Sequence, residues 1–310
     1  MKVLVTGGAG FIGSNLADRL VADGHQVVVV DDLSSGKRHQ VPSEANFYQM
    51  DVESRWLDRV IERERPQAVC HLAAQMSVSR SVREPLFDAR VNVLASLGLL
   101  EACRVHGVKR LVFSSTGGAI YGDADVIPTP ETYTPAPVSP YGASKLSFEH
   151  YLHVYRVAHG VSSVALRFAN VYGPRQDPHG EAGVVAIFSR ALLAGETPTI
   201  NGDGSETRDY VFVEDVVSAI VAAVGSDVSG AYNVGTAIET NVNELYAMIA
   251  SAAGSTVEPM HGPDRPGNQK RSCVANGLAL ADLGWQPNVS IAEGIPRTVD
   301  YFRTEVAGEA

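Results

Sequence analysis

Cysteine is scarce in this chain: three residues in 310, at positions 70, 103 and 273, far apart and without CxxC spacing. So small and odd a set argues against both a disulfide scaffold and a thiolate zinc site. Histidines 71, 106, 153 and 179 are likewise scattered, with no HxxxH pair and no partnered carboxylates, so no metal centre is expected. Long apolar runs are missing, and none approaches the roughly 18 residues that a membrane span needs. The opening MKVLVTGGAG reaches a Gly pair too soon to form the apolar core of a signal peptide. A cytoplasmic location is therefore expected. Cations are the minority charge, 25 Lys and Arg against 35 Asp and Glu, for a net charge of −10 at pH 7. Such a surface repels phosphate backbones and anionic lipid, which argues against nucleic acid and membranes as partners. No internal repeat or low-complexity linker interrupts the chain.

What is present is an apolar fraction of 45 %, ample for one large α/β domain or two interlocked ones. The first half alternates short β-rich runs with helical stretches. Val27–Val30 is four valines with no polar face, so both faces of that strand must be covered. Strands are expected at 2–6, 27–30, 47–50, 68–72, 110–114 and 162–167, with helices near 11–23, 55–65, 85–106 and 142–159 between them. Strand–helix alternation implies right-handed crossovers and a doubly wound parallel sheet of Rossmann type. After Asn170 the pattern loosens into shorter, mixed elements, including one strand at 209–213. The expected division is a nucleotide-binding domain over 1–170, rejoined by 211–236, and a smaller mixed α/β domain over 171–310. Ligands are expected at the carboxyl ends of the strands.

Thr6-Gly7-Gly8-Ala9-Gly10-Phe11-Ile12-Gly13 follows the first strand and opens the first helix, and it holds Gly8-x-Gly10-x-x-Gly13. Glycines permit a tight turn, and the free N–H groups of the helix start, at Phe11 and Ile12, suit a pyrophosphate. The plain alternative is a glycine turn without a ligand. Asp31 ends the second strand, where an acid accepts the hydroxyls of an adenosine ribose and repels a 2′-phosphate, which favours NAD over NADP. Lys37 and Arg38 nearby read as a solvated loop. Asp51 and Val52 either flank an adenine or, for Asp51, cap the next helix. Leu72, Ala73 and Ala74 follow the fourth strand, and the two alanines are small enough to let a cofactor backbone pass.

Tyr141 and Lys145 stand four apart, on one face of a helix that begins after Ser139-Pro140. A phenol with a pKa of about 10 is a poor base at neutral pH. A neighbouring ammonium favours its ionised form and brings it towards the working range. Thr116, at the end of the fifth strand, adds a hydroxyl able to relay a proton, with a strand-end cap as its plain reading.

Together TGGAGFIG, Asp31, HLAA, SSTGGAIYG, SPYGASK, RFANVYGPR, RDYVFVEDV and NVG resemble the extended short-chain dehydrogenase/reductase family. The likeness is greatest to its UDP-glucose (UDP-galactose) 4-epimerases, a bacterial branch of which shares STGGAIYG and GPRQDPHGEAGVVAIF, and it runs from residue 1 to about 303. The resemblance implies that Gly7, Gly10 and Gly13 hold the NAD pyrophosphate and Asp31 the adenosine ribose. Tyr141 is then the base, Lys145 tunes it and binds the nicotinamide ribose, and Thr116 assists at the sugar 4-hydroxyl. Asn170 and the backbone of Gly183 and Val184 contact the phosphates of a UDP-sugar. Arg208 and Arg265 neutralise its diphosphate, gathering cations locally on an acidic protein; their plain reading is as surface salt bridges. Asn268 replaces the family Asp that holds the uridine ribose, and Met76 stands where many members have Lys. Ser272 lines the hexose pocket in place of a bulky Tyr. UDP-glucose and UDP-galactose therefore rank first as substrates, UDP-N-acetylglucosamine second, and UDP-glucuronate third. The uronate would need Arg80, Arg83 or Arg175 to pair its carboxylate. The 4,6-dehydratases of the family write Thr-Asp-Glu where this chain has Thr116-Gly117-Gly118, so dehydration is disfavoured. A one-way sugar dehydrogenase or reductase and a non-catalytic NAD sensor stay open, although sensors commonly lose the Tyr or Lys kept here. The family also implies a homodimer, through the helices at 85–106 and 142–159.

Overall fold

The computed structural model describes residues 1–179, 183–264 and 269–309. In chain order the first half runs β1 (Lys2–Thr6), α1 (Phe11–Ala22), β2 (Gln26–Asp31), β3 (Asn46–Gln49), α2 (Leu57–Glu64) and β4 (Ala68–His71). It continues with α3 (Val78–Arg83), α4 (Pro85–Ala89), a π-helical turn (Arg90–Ala95), α5 (Ser96–Val105), β5 (Arg110–Thr116), α6 (Gly117–Ile120), α7 (Pro140–His159) and β6 (Ser163–Phe168). The second half holds β7 (Asn170–Tyr172), α8 (Val184–Leu193), β8 (Thr199–Asn201), β9 (Thr207–Arg208), β10 (Tyr210–Phe212), α9 (Val213–Val224) and β11 (Gly230–Val234). It ends with β12 (Thr240–Asn241), α10 (Val242–Ala253), β13 (Met260–Gly262), β14 (Arg271–Ser272), α11 (Gly277–Leu283) and α12 (Ile291–Glu309).

Seven strands form one sheet in the order β11-β6-β5-β4-β1-β2-β3, and every pairing in it is parallel. The α/β doubly wound expectation is met. Its valine-rich strands feed two cores, because side chains alternate between faces along a strand. Val3, Val5, Val27 and Val29 face the cluster that includes Leu16 and Leu20 of α1 and Val216 and Ile220 of α9. Leu4, Val28 and Val30 face the other, with Ile61 of α2, Leu100 of α5 and Phe148 of α7. A third core joins Phe188 of α8, Phe212 of β10, Leu245 and Ile249 of α10, and Ile295 and Val299 of α12. The strand order reverses between β1 and β4, and the crevice at that switch is where a doubly wound sheet binds ligands.

One element differs from expectation. The single helix at 85–106 is instead α4, a π turn and α5. Within that turn Asn92 is buried and hydrogen-bonds outward: its Nδ2 donates to the Gln75 carbonyl at 2.9 Å, and its Oδ1 accepts from the Gln75 N–H at 2.9 Å. The strand expected at 209–213 is β10, Tyr210–Phe212, and β9 just before it lies in a different sheet. The break between them falls at buried Asp209, whose carboxylate turns inward to accept from the N–H groups of Thr236, Ala237 and Val274. Among the described residues, no helix is long and apolar enough to cross a membrane.

Candidate functional site

The glycine loop is built to approach closely. Gly7 has φ +69°, and a Cβ there would lie 2.7 Å from the Ala73 backbone nitrogen, so this turn of β1 fits against the end of β4 only without a side chain. A Cβ on Gly13 would overlap the Gly7 carbonyl oxygen, which seats α1 directly behind the turn. Gly8 lies 2.7 Å, by the same measure, from a Val29 methyl. Gly10 is the residue before α1; no side chain caps this helix start, and no acid stands in its first turn. The N–H groups of Phe11 and Ile12, and the positive end of the dipole, are thereby left for an anion. These features fit a dinucleotide pyrophosphate.

Asp31, at the end of β2, is buried, and burial raises its pKa. It accepts from the Ala9 N–H at 2.9 Å and the Leu33 N–H at 2.8 Å, so it also clamps the glycine loop. A carboxylate has lone pairs left after two such bonds. Lys37 and Arg38 point to other partners: Lys37 lies 3.7 Å from Glu305, and Arg38 sits 4.7 Å over the Phe47 ring. Asp51 is exposed and accepts from the Glu53 N–H at 2.7 Å, a local turn two residues long; α2 starts at Leu57, so Asp51 is not its cap. Val52 and Leu72 pack partly against the two cores of the sheet. Ala73 donates its N–H to Thr6 Oγ1 at 3.3 Å, and Ala74 follows it half-buried.

Tyr141 and Lys145 lie in the first turns of α7, which starts where Ser139 accepts from the Gly142 N–H and Pro140 occupies the first turn. The Thr116 hydroxyl is near enough to the Tyr141 phenol to lower its pKa, and its side chain makes no capping bond to α6, so Thr116 is not the strand-end cap of the plain reading. Lys145 donates to the Ser114 carbonyl at 2.9 Å, with its Nζ 4.7 Å over the Phe113 ring and 5.9 Å from the Tyr141 ring centre. Burial, then the charge of Asp88, push the Tyr141 phenol up to about 12, against the lowering effect of Thr116. Burial pulls Lys145 down to about 8, opposed by Asp88 and Glu149. Both shifts favour the neutral forms, so burial outweighs the ammonium and the phenol stands above its ordinary value, not nearer the working range that the spacing led one to expect.

Asn170 opens β7, and its Oδ1 and the Thr116 hydroxyl both lie at the limit of contact, 3.9 and 4.0 Å, from where a Gly118 Cβ would stand. The missing side chain leaves that space open between them. Asn170 donates its N–H to the Asp209 carbonyl at 2.9 Å, next to Arg208. Ser272 of β14 pairs in register with Arg208 of β9, and Gly117 fits closely against Val274 just beyond. Thr116, Asn170, Arg208 and Ser272 thus border one edge. Arg208 donates to its neighbour's carbonyl at 2.8 Å and lies 3.7 Å from Glu206. Gly183 precedes α8, which Val184 opens, again with no side-chain cap. Arg265 and Asn268 lie outside the described residues. Met76 is exposed.

Two of the three candidate uronate partners already have ion-pair partners. Arg80 pairs with Glu84 at 3.3 Å over the Phe87 ring, Arg83 is exposed, and Arg175 meets Asp18 of α1 at 2.6 Å. His71 is core: its ring joins Thr6 Oγ1 at 2.7 Å and Ser96 Oγ at 2.8 Å. No cluster able to hold a metal occurs among the described residues. Sequence reasoning missed the buried carboxylates beneath the pair: Asp88, and Glu149, which is ion-paired with Arg167 at 2.6 Å. Nothing in their local spacing announces them.

Comparison with known proteins agrees with this geometry. Residues 3–235 match the NAD dependent epimerase/dehydratase family. The chain is 51 % identical to a UDP-glucose 4-epimerase of Mycolicibacterium smegmatis, over 98 % of this chain and 99 % of that one. It is 48 % identical to the UDP-glucose 4-epimerase of Thermotoga maritima solved with UDP-glucose, with a TM-score of 0.96 over 99 % and 100 % of the two chains. The UDP-glucose 4-epimerase of Thermus thermophilus in complex with NAD shares 48 % identity, with a TM-score of 0.93 over 98 % and 99 %. With a glycine turn at the sheet's switch point, an acid ending β2 and a Tyr–Lys pair at the same edge, the chain belongs to the NAD dependent epimerase/dehydratase family.

Proposed function

We propose that this protein is an NAD-dependent 4-epimerase of a UDP-hexose, interconverting UDP-glucose and UDP-galactose. The observation that carries the reading is Lys145, held by the Ser114 carbonyl at 2.9 Å, with its Nζ 5.9 Å from the Tyr141 ring on the same helical face and Thr116 at the end of the strand beside them. Gly7, Gly10, Gly13 and the start of α1 hold the pyrophosphate of NAD, and Asp31 holds its adenosine ribose. When bound, NAD supplies the acceptor for the C4 hydride and returns it to the other face of the sugar. Tyr141 takes the 4-hydroxyl proton through Thr116 and gives it back in the second half of the cycle. Lys145, held by the Ser114 carbonyl, stays close enough to favour the phenolate. Arg208 and Asn170, with Arg265 and the start of α8, hold the UDP diphosphate, a tether that keeps the keto sugar in place while its ring turns. The small side chain of Ser272 beside Arg208 leaves room for an N-acetyl group, which supports UDP-N-acetylglucosamine as the second substrate.

The NAD-binding unit is residues 1–170 rejoined by 211–236, a division that the place of β11 in the main sheet supports, and 171–310 supply the sugar side. A homodimer suits the exposed Leu86, Leu94, Val154 and Val157 on the segment from α4 to α5 and on α7. Three free, buried cysteines suit the cytoplasm. The test is to incubate purified protein separately with UDP-glucose, UDP-N-acetylglucosamine and UDP-glucuronate and assay C4 epimers, without added cofactor. Galactose from glucose, with NAD released on denaturation, is expected. Stoichiometric consumption of added NAD, or bound NADP, overturns the reading.

A further inference from the structure

Asp88 is fully buried at the end of α4, facing α7. Three donors converge on its two oxygens. Ser144 Oγ donates to Oδ2 at 2.5 Å, and Gln75 Nε2 and Asn92 Nδ2 donate to Oδ1 at 2.8 and 3.0 Å. An ionised carboxylate is an acceptor only, and three incoming donors match that form. Ser144 stands between Tyr141 and Lys145 in sequence and on the same side of α7, so the hydrogen bond grips the helix at the pair. The anchor on the other side is equally specific, since the Asn92 side-chain amide is also tied to the Gln75 backbone, accepting from its N–H and donating to its carbonyl, both at 2.9 Å. The π turn that carries Asn92 is what brings its amide to both partners. A buried charge costs free energy unless its partners hold it, and here every partner belongs to an element that touches the candidate active site.

We propose that Asp88 is a positioning residue for the Tyr141–Lys145 pair, its carboxylate gripping α7 through Ser144 and setting the pH range in which the pair works. This rests on the epimerase reading above. The other charged and titratable groups around the pair are few among the described residues. Glu149, on α7 itself, is ion-paired with Arg167 of β6 at 2.6 Å, and its charge adds to that of Asp88 on Lys145 but does not act on Tyr141. His71 of β4 is buried and kept neutral by that burial. Asp88 is the carboxylate facing the pair from the α4 side, and its charge acts on both members in one direction. It opposes formation of the Tyr141 phenolate, and it opposes loss of the Lys145 proton. Removing the charge must therefore move both ionisations to lower pH.

Asp88→Asn tests this with little disruption. The amide oxygen keeps the Gln75 and Asn92 bonds, and the amide nitrogen donates to Ser144, whose hydroxyl turns to accept. The pH profile of kcat for UDP-glucose should move bodily to lower pH, both limbs by on the order of one pH unit, with KM changed less than threefold. A merely structural residue would lower kcat and leave the limbs in place; unmoved limbs overturn the proposal. Ser144→Ala keeps the charge and removes the grip. It should lower kcat several-fold without moving the limbs to lower pH and without raising KM, and a parental kcat at every pH rejects the positioning role, even where Asp88→Asn yields no folded protein. If the unmodified protein epimerises no nucleotide sugar, the parent reading fails instead.

Discussion

Tyr141 and Phe differ by one oxygen, and it is this hydroxyl on which Thr116 acts, while the ring lies beside Lys145. Tyr141→Phe is expected to lower kcat by about 10²-fold or more, the usual contribution of a general acid–base group. UDP-glucose binding, followed by calorimetry, should stay within a few-fold of the parent, because the residues proposed to hold the diphosphate lie on other elements. A loss under tenfold would place the base elsewhere. Burial favours the neutral form of both members, raising the phenol and lowering the ammonium. A bound cationic ring tips the first towards phenolate without needing a second base.

At the scale of an element, the β1–α1 turn acts as one rigid part. Gly13 lies in the first turn of α1 and directly against the Gly7 carbonyl, so the helix start abuts the turn. Both atoms in that contact are backbone, so a methyl group at Gly13 cannot be absorbed by a rotating side chain. Gly13→Ala should therefore fold, because the sheet cores are untouched, yet purify with at least tenfold less NAD than the parent. Cofactor released by denaturation and assayed enzymatically measures this, and parental NAD content would show that the turn does not hold the pyrophosphate. A different lesson comes from the α4–α5 segment. Its apolar spacing reads as one helix, but buried Asn92 and Asp88 impose a π turn, since their polar groups must find partners away from water.

For the whole molecule, the clearest solvent-linked term is His71. Burial lowers it from 6.5 to about 3, so the folded chain keeps it neutral while the unfolded chain binds a proton below pH 6.5. Its stabilising contribution is complete above pH 6.5 and is lost as pH falls from there towards 3. The loss amounts to about 1.4 kcal/mol per pH unit within that window. Thermal midpoints measured from pH 7 to pH 5, above the range where ordinary carboxylates titrate, should fall accordingly. His71→Gln should start lower and vary less over the same range. A parental midpoint that is flat from pH 6.5 to 5 rejects this account.

The sequence alone determined whatever depends on neighbours along the chain: the parallel sheet from buried valine runs, the glycine turn before α1, Asp31 at a strand end, and the four-residue spacing of Tyr141 and Lys145. Each follows from the periodicity of a strand or helix, or from a turn that only glycine permits. Tertiary structure decided what depends on contacts between distant segments. It set Thr116 against Tyr141, paired Arg208 with Ser272, and turned Arg80 and Arg175 to surface carboxylates. It also drew Asp88 beneath the helix face at Ser144, 56 residues away. A carboxylate's hydrogen bonds are satisfied by whichever donors the packed elements bring to it, and one-dimensional spacing carries no record of which those are.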